Sequence, residues 1–240
     1  MRVVSFVPSW TETLMASEVD VIGRTRFCIH PENTIKSIPV VGGTKTINSI
    51  EQIVQLKPDL VLFDKEENNQ EMHQMCLDHG LTCYATHVVD IKSCGEELIN
   101  LGKILKNTKL TEWGNAYLSL KKFSSEQFKK CVIEGEFAPE QKYTYAIWKK
   151  PFMRVSPDTF IGDVLKLFGI TLEPSEKKYP EISEEELKKT FCLFSSEPFP
   201  FAKYYSELKA EGFKGVVIDG EKISWYGVRT LRFLQSLEPS

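Results

Sequence analysis

What this chain lacks narrows its function before anything it contains. Thirty basic residues stand against thirty-three acidic ones, a net charge of −3, so there is no surplus field to gather nucleic acid or an anionic membrane surface. No run approaches the roughly 18 apolar residues of a membrane-spanning helix. The opening MRVVSFVPSWTETL has no apolar stretch leading to a small-residue cleavage site, which sets the expectation of a cytoplasmic protein. Six cysteines (Cys28, Cys76, Cys83, Cys94, Cys131 and Cys192) are scattered without paired spacing, and in a reducing compartment they are expected as free thiols. No repeat of solenoid length occurs. Gly42-Gly43-Thr44-Lys45 lacks the spacing of a phosphate-binding loop. Ser9, Ser196 and Ser224 sit in no nucleophile elbow, which leaves a serine hydrolase without support.

What is present is an alternation. Val3–Val7 is a continuous apolar run bounded by Pro8, the pattern of a strand buried on both faces. A short helix follows at Trp10–Ala16 with Ser9 as its expected cap, then a strand at Val19–Thr25. Ser49-Ile50-Glu51-Gln52 opens a helix to Lys57, and Asp59–Phe63 is the next strand. Helix Asn69–His79, strand Leu81–Thr86 and helix Ile91–Leu105 continue the series. In the second half, strands are expected at Tyr143–Trp148, Phe191–Phe194 and Gly215–Ile218, with helices at Thr159–Phe168, Ser183–Lys189, Phe201–Glu211 and Val228–Leu237. Lys149–Asp158 reads as a loop. Strand, loop and helix in repetition predict an α/β fold with mostly parallel sheets.

Between the halves, Leu110, Trp113, Tyr117, Leu120 and Phe123 recur at spacings of three and four. This predicts one polar helix over Asn107–Cys131, ended by the polar run Glu134–Lys142. Such a helix of roughly 24 residues would span about 36 Å, enough to bridge two lobes. The expected organisation is an N-terminal lobe at 1–106, a bridging helix at 107–135 and a C-terminal lobe at 136–240.

In open parallel sheets ligands bind past the carboxyl ends of the strands. That rule selects Pro8–Thr11, Arg26–His30 and Asp64–Asn68 in the first half, and Trp148–Asp158, Ser195–Phe199 and Asp219–Tyr226 in the second. These loops hold Trp10, Cys28, His30, Glu66, Glu67, Trp148, Phe152, Glu197, Trp225 and Tyr226. As a set, their aromatic rings suggest a large, flat or apolar ligand; singly, each ring has core packing as an equal reading. Cys28 and His30 are two positions apart, too few for a zinc site, and the commoner reading of such a pair is a buried, inert cysteine beside a histidine bonded to backbone; the alternative is an axial ligand to a metal already held by a macrocycle, with Arg24 and Arg26 placed to lower the thiol. Glu66 and Glu67 beside Lys65 read as solvated rim charge or a docking surface.

VVSFVPSWTETL, VIGRTRFCIHPE, VGGTK, LKPDLVLFDKEENNQE and VDGEKISWYG resemble the cobalamin and iron-chelate receptors of ABC importers, the class III substrate-binding proteins. The resemblance covers nearly the whole chain. It implies two α/β lobes with a ligand held between them by aromatic and polar groups. Ser9, Trp10, Thr11, Cys28, His30, Lys65, Glu66, Glu67, Trp148, Phe152, Glu197, Trp225 and Tyr226 are then the expected ligand-binding residues, with Cys28 and His30 as candidate metal ligands. It also implies docking to a permease through one acidic residue on each lobe, for which Glu71 and Glu197 are the counterparts. The expected function is a non-enzymatic binding protein for a corrinoid such as cobalamin, or another metal chelate, with no intrinsic cofactor. The alternatives are a metallochaperone or enzyme acting through Cys28 and His30, and a scaffold that kept the fold and lost the ligand.

Overall fold

The computed structural model describes residues 1–138 and 143–237. The chain divides into two compact units, Met1–Ser119 with Tyr226–Leu231, and Leu120–Trp225 with the residues from Arg232 onward.

The first unit runs β1 (Arg2–Ser5), α1 (Pro8–Ala16), β2 (Asp20–Thr25), α2 (Glu32–Ile35), β3 (Val40–Gly42), α3 (Ile50–Leu56), β4 (Leu60–Asp64), α4 (Gln70–Asp78), β5 (Cys83–Thr86), α5 (Ile91–Leu105) and α6 (Thr108–Leu118). Its five strands lie in the order β3-β2-β1-β4-β5, all parallel. The central strands are the most apolar because both their faces are covered: all five residues of β4 are buried, as are Val3 and Val4 of β1. Under one face Val4, Phe6, Val61, Phe63, Ile53, Met72 and Cys76 form a single core. Side chains set the helix starts: Ser49, Asn69, Asp90 and Asn107 each accept a backbone N–H from the first turn that follows. Helices α5 and α6 approach backbone to backbone. A Cβ on Gly95 would lie 2.9 Å from the Gly114 carbonyl oxygen, and one on Gly114 2.6 Å from that of Gly95, so this crossing requires glycine on both helices.

The second unit runs α7 (Ser125–Phe128), β6 (Val132–Glu134), β7 (Tyr143–Lys149), β8 (Phe152–Arg154), α8 (Phe160–Leu167), α9 (Glu184–Leu187), β9 (Phe191–Ser195), α10 (Tyr205–Ala210), β10 (Lys214–Ile218), α11 (Gly220–Ser224) and α12 (Val228–Gln235), the first turn of α12 belonging to the first unit. Its sheet is ordered β6-β10-β9-β7-β8. The three inner strands are parallel, and the edge strands β6 and β8 run antiparallel to their neighbours. Its core is aromatic: Phe194, Phe201, Phe213 and Tyr205 pack with Leu187, Leu208 and Val217.

Three expectations are corrected. The single helix over Asn107–Cys131 is instead α6, a break at Ser119–Ser124, α7 and a 3-10 turn at Lys129–Cys131. Its apolar period joined two cores: Leu110 and Tyr117 are buried in the first unit, while Phe123 stacks on Phe168 in the second. The break was also encoded, since Ser124 and Gln127 make a reciprocal capping box that starts a new helix. Residues 139–142 of the polar run Glu134–Lys142 lie outside the described residues. Ser9 does not cap α1: Pro8 occupies the first helical turn and Val7 the cap, using proline where its missing N–H costs nothing. The loop read at Lys149–Asp158 contains the edge strand β8.

Candidate functional site

The carboxyl ends of β1, β4 and β5 meet in a buried chain of hydrogen bonds. Trp10, on the first turn of α1, is fully enclosed, and its Nε1 donates to Thr86 Oγ1 at 2.8 Å. The Thr86 hydroxyl donates to Asp64 Oδ2 at 2.6 Å. Asp64 also accepts the backbone N–H of Glu66 at 2.8 Å and of Val88 at 3.3 Å. Asn68 closes the loop by accepting from Asp64 N and donating to the carbonyls of Phe6 and Thr44. Burial outweighs these bonds and pushes the Asp64 carboxyl above its ordinary value, and the neighbouring Glu66 charge adds to the rise.

A raised native value means that the folded state holds this proton more tightly than the unfolded chain does. The Asp64 contribution is therefore greatest at low pH, and stability falls as pH climbs from the ordinary carboxylate range through the native value. In denaturant titrations at a series of pH values, Asp64→Asn is expected to lack that falling step. A wild-type-minus-variant difference that stays flat with pH would show that Asp64 does not titrate in this way.

Tyr226 packs on the same floor. Its ring meets Trp10 edge-on at 5.1 Å, and its hydroxyl donates to Glu67 Oε1 at 2.6 Å. Burial and the Glu67 carboxylate hold the phenol well above its usual range, so it remains a donor. Ser9 is buried beside it, and Thr11 is buried against Cys28. Beyond Tyr226, Arg229 grips Glu12 with two contacts of 2.8 Å. Neither residue was expected, because 217 positions separate them.

Cys28 takes the buried one of its two expected arrangements. The residue is 1% exposed, and its sulfur lies 3.1 Å from Thr11 Oγ1 and 3.2 Å from Thr25 Oγ1. Burial raises the thiol above its ordinary value, more than the hydroxyls and Arg24 lower it. Arg26, expected to assist in forming a thiolate, sits over the Phe27 ring. The result is an enclosed thiol, not an open thiolate ligand. His30 is half-buried. Among the described residues, no three His, Cys, Asp or Glu side chains come together as metal ligands.

Lys65 and Glu66 are exposed, and Glu66 Oε1 lies 3.0 Å from His87 Nε2. Glu71 is exposed on the first turn of α4. Beside this turn a cavity of about 400 Å³ is lined by Phe63, Lys65, Asn69, Gln70 and His73, among others.

In the second unit the exposed chemistry gathers at the carboxyl ends of β7 and β9. Trp148 is 41% exposed and meets Phe199 edge-on at 5.8 Å; Phe199 stacks on Tyr204, itself 37% exposed, at 5.2 Å. Lys149 lies over the Tyr204 ring and pairs with Glu207 at 2.8 Å. Tyr204 was missed because it falls within a segment that reads as a helix and is in fact a 3-10 turn followed by α10. Phe152 turns to the core and packs on Phe213 at 5.5 Å. Glu197 accepts from the Ser224 hydroxyl at 2.9 Å, and Trp225, which follows α11, is half-buried.

Two α/β units, each built on a mostly parallel five-stranded sheet, have the fold of the two-lobed solute-binding proteins. The chain is similar in structure to the periplasmic heme-binding protein BhuT in complex with two hemes, at 17% identity and a TM-score of 0.75 over 98% of this chain and 96% of that one. It is likewise similar to the periplasmic heme-binding protein RhuT from Roseiflexus, at 14% identity and 0.75 over 98% and 95%. The periplasmic vitamin B12-binding protein BtuF of Vibrio cholerae matches at 16% identity and 0.70 over 98% and 94%. No family model matches the sequence, and no curated protein matches it. Among the described residues, no helix is long and apolar enough to cross a membrane.

Proposed function

We propose that this protein is a non-enzymatic receptor for a planar metal chelate of the tetrapyrrole type, a corrinoid or a heme. The observation that carries the reading is the aromatic platform of exposed Trp148 and Tyr204, joined through the half-buried Phe199. It stands at the carboxyl ends of parallel strands, where open sheets take their ligands, and exposed aromatic rings can pack on a macrocycle. The similar folds support the class of ligand, since two are heme-binding proteins and one is a vitamin B12-binding protein. The enclosed Cys28 thiol and the hydrogen-bonded Tyr226–Glu67 pair present no activated nucleophile, which favours holding a ligand over transforming it.

Absorbance titration of the purified protein with hemin and with cobalamin tests this reading. Saturable binding of at least one is expected. Trp148→Ala should weaken it by about 1–3 kcal/mol, the usual loss of an aromatic anchor, while the denaturation midpoint stays close to wild type because the ring is not core. Failure of both ligands to bind, or undiminished binding by Trp148→Ala, would overturn the proposal.

A further inference from the structure

The cavity beside the first turn of α4 lies on the other face of the sheet from the Trp10 hydrogen-bond chain. Successive residues of a strand point to opposite faces. Phe63 and Ala85, paired in register on β4 and β5, turn to the core that α4 covers, and the next pair, Asp64 and Thr86, turns to Trp10. Between Phe63, Ala85 and the start of α4 the cavity holds about 400 Å³, within the roughly 300–1,000 Å³ of small-molecule pockets. All of its lining belongs to the first unit. Its inner wall is aromatic: Phe63 stacks on Phe6 at 5.0 Å, and the His73 ring meets Phe63 edge-on at 5.6 Å. Its mouth is polar. Exposed Lys65 and Gln70 and half-buried His73 border it, and none of these three side chains has a hydrogen bond or ion pair to another described residue. The acids nearby are committed or turned aside. The Asp64 carboxylate accepts from Thr86 and from the Glu66 and Val88 amides, Glu66 meets His87, and Glu71 lies outside the lining.

We propose that this cavity is a second ligand site, for a small aromatic carboxylate. The ring enters against Phe63, Ala85 and the His73 imidazole, where its burial is favourable and edge-on ring contacts are available. The carboxylate stays at the mouth and accepts from the Lys65 ammonium and the Gln70 amide, at the positive end of α4. A purely apolar guest would leave Lys65 and Gln70 unused, and an inorganic anion would leave the aromatic wall empty. The lining therefore selects a molecule that carries both parts. The site goes beyond the macrocycle reading and shares no residue with the Trp148, Phe199 and Tyr204 platform.

The test titrates the full chain with 4-fluorobenzoate and follows the ring-proton resonances of its four histidines together with the fluorine line of the probe. The His73 resonance, assigned as the one missing from His73→Gln, is expected to shift saturably while those of His30, His79 and His87 stay in place. Lys65→Gln should weaken binding about tenfold, the loss of one hydrogen bond to a charged group. Fluorobenzene, the same ring without the carboxylate, should bind more weakly than 4-fluorobenzoate, and excess hemin or cobalamin should not displace the probe. The absence of a saturable His73 shift, equal shifts at all four histidines, undiminished binding by Lys65→Gln, or displacement of the probe by hemin or cobalamin would overturn the proposal. The wild-type titration decides this even if the His73 variant folds poorly, and it is read whether or not a macrocycle binds.

Discussion

Trp10→Ala is expected to destabilise the folded protein by about 3–5 kcal/mol, the range for deleting a large ring from a core. Trp10 is among the largest completely buried side chains, and its removal also leaves Thr86 without the indole donor and Tyr226 without the ring it leans on. Urea denaturation followed by circular dichroism measures the loss, with Trp148→Ala as the surface control. The pair separates two readings of a tryptophan in a strand-end loop. If Trp10 is floor and Trp148 is platform, the first variant loses stability, and its affinity for hemin or cobalamin stays near wild type under conditions where it is folded. The second should do the reverse. A Trp10→Ala protein of wild-type stability that has lost its ligand would return Trp10 to the ligand surface.

Local chemistry is where the sequence spoke clearly. The apolar run at β4, the cap at Ser49, and the 15-residue helix Ile91–Leu105 follow from neighbours a few positions apart, and the parallel βαβ order follows from them. The failures share one cause. The period of Leu110 to Phe123 looked continuous because a one-dimensional pattern does not say which core each residue enters, and Phe123 had left the first core for the second. Nothing in the pattern of that helix shows that Gly114 is the surface on which α5 lies. Burial at the candidate site is illegible for a similar reason. Trp10 and Trp148 both occupy strand-end loops, and only the partners brought by distant segments decide which ring is covered. Tyr226 finds Glu67 across 159 positions. Nearby arginines left an activated Cys28 open as an alternative to a buried one, but Arg24 lowers the thiol less than burial raises it, and Arg26 lies against Phe27.

Gly227→Ala is expected to cost about 3 kcal/mol, more than its single methyl suggests, because two penalties meet there. Its φ is +86°, and a Cβ in left-handed backbone costs roughly 1–2 kcal/mol. That Cβ would also lie 2.2 Å from Thr13 Oγ1 and 3.3 Å from the Trp10 ring. Thr13 is fully buried, and its hydroxyl accepts the Val228 N–H at 3.0 Å. Displacing that hydroxyl leaves a buried donor unpaired, a further loss of about 1–3 kcal/mol. The neighbouring Gly227 carbonyl, which receives the Tyr117 hydroxyl at 2.8 Å, has no freedom to move aside. Gly212→Ala is the control for the backbone part alone, since its φ is +89° and nothing lies within 4 Å of the added atom. The excess of Gly227→Ala over Gly212→Ala in urea denaturation then measures the collision. In a Thr13→Ala background that excess should shrink, because the obstructing hydroxyl and the bond it makes are both gone. Equal costs at the two glycines, or strict additivity of Gly227→Ala with Thr13→Ala, would mean that Tyr226–Leu231 joins the first unit without depending on this close approach.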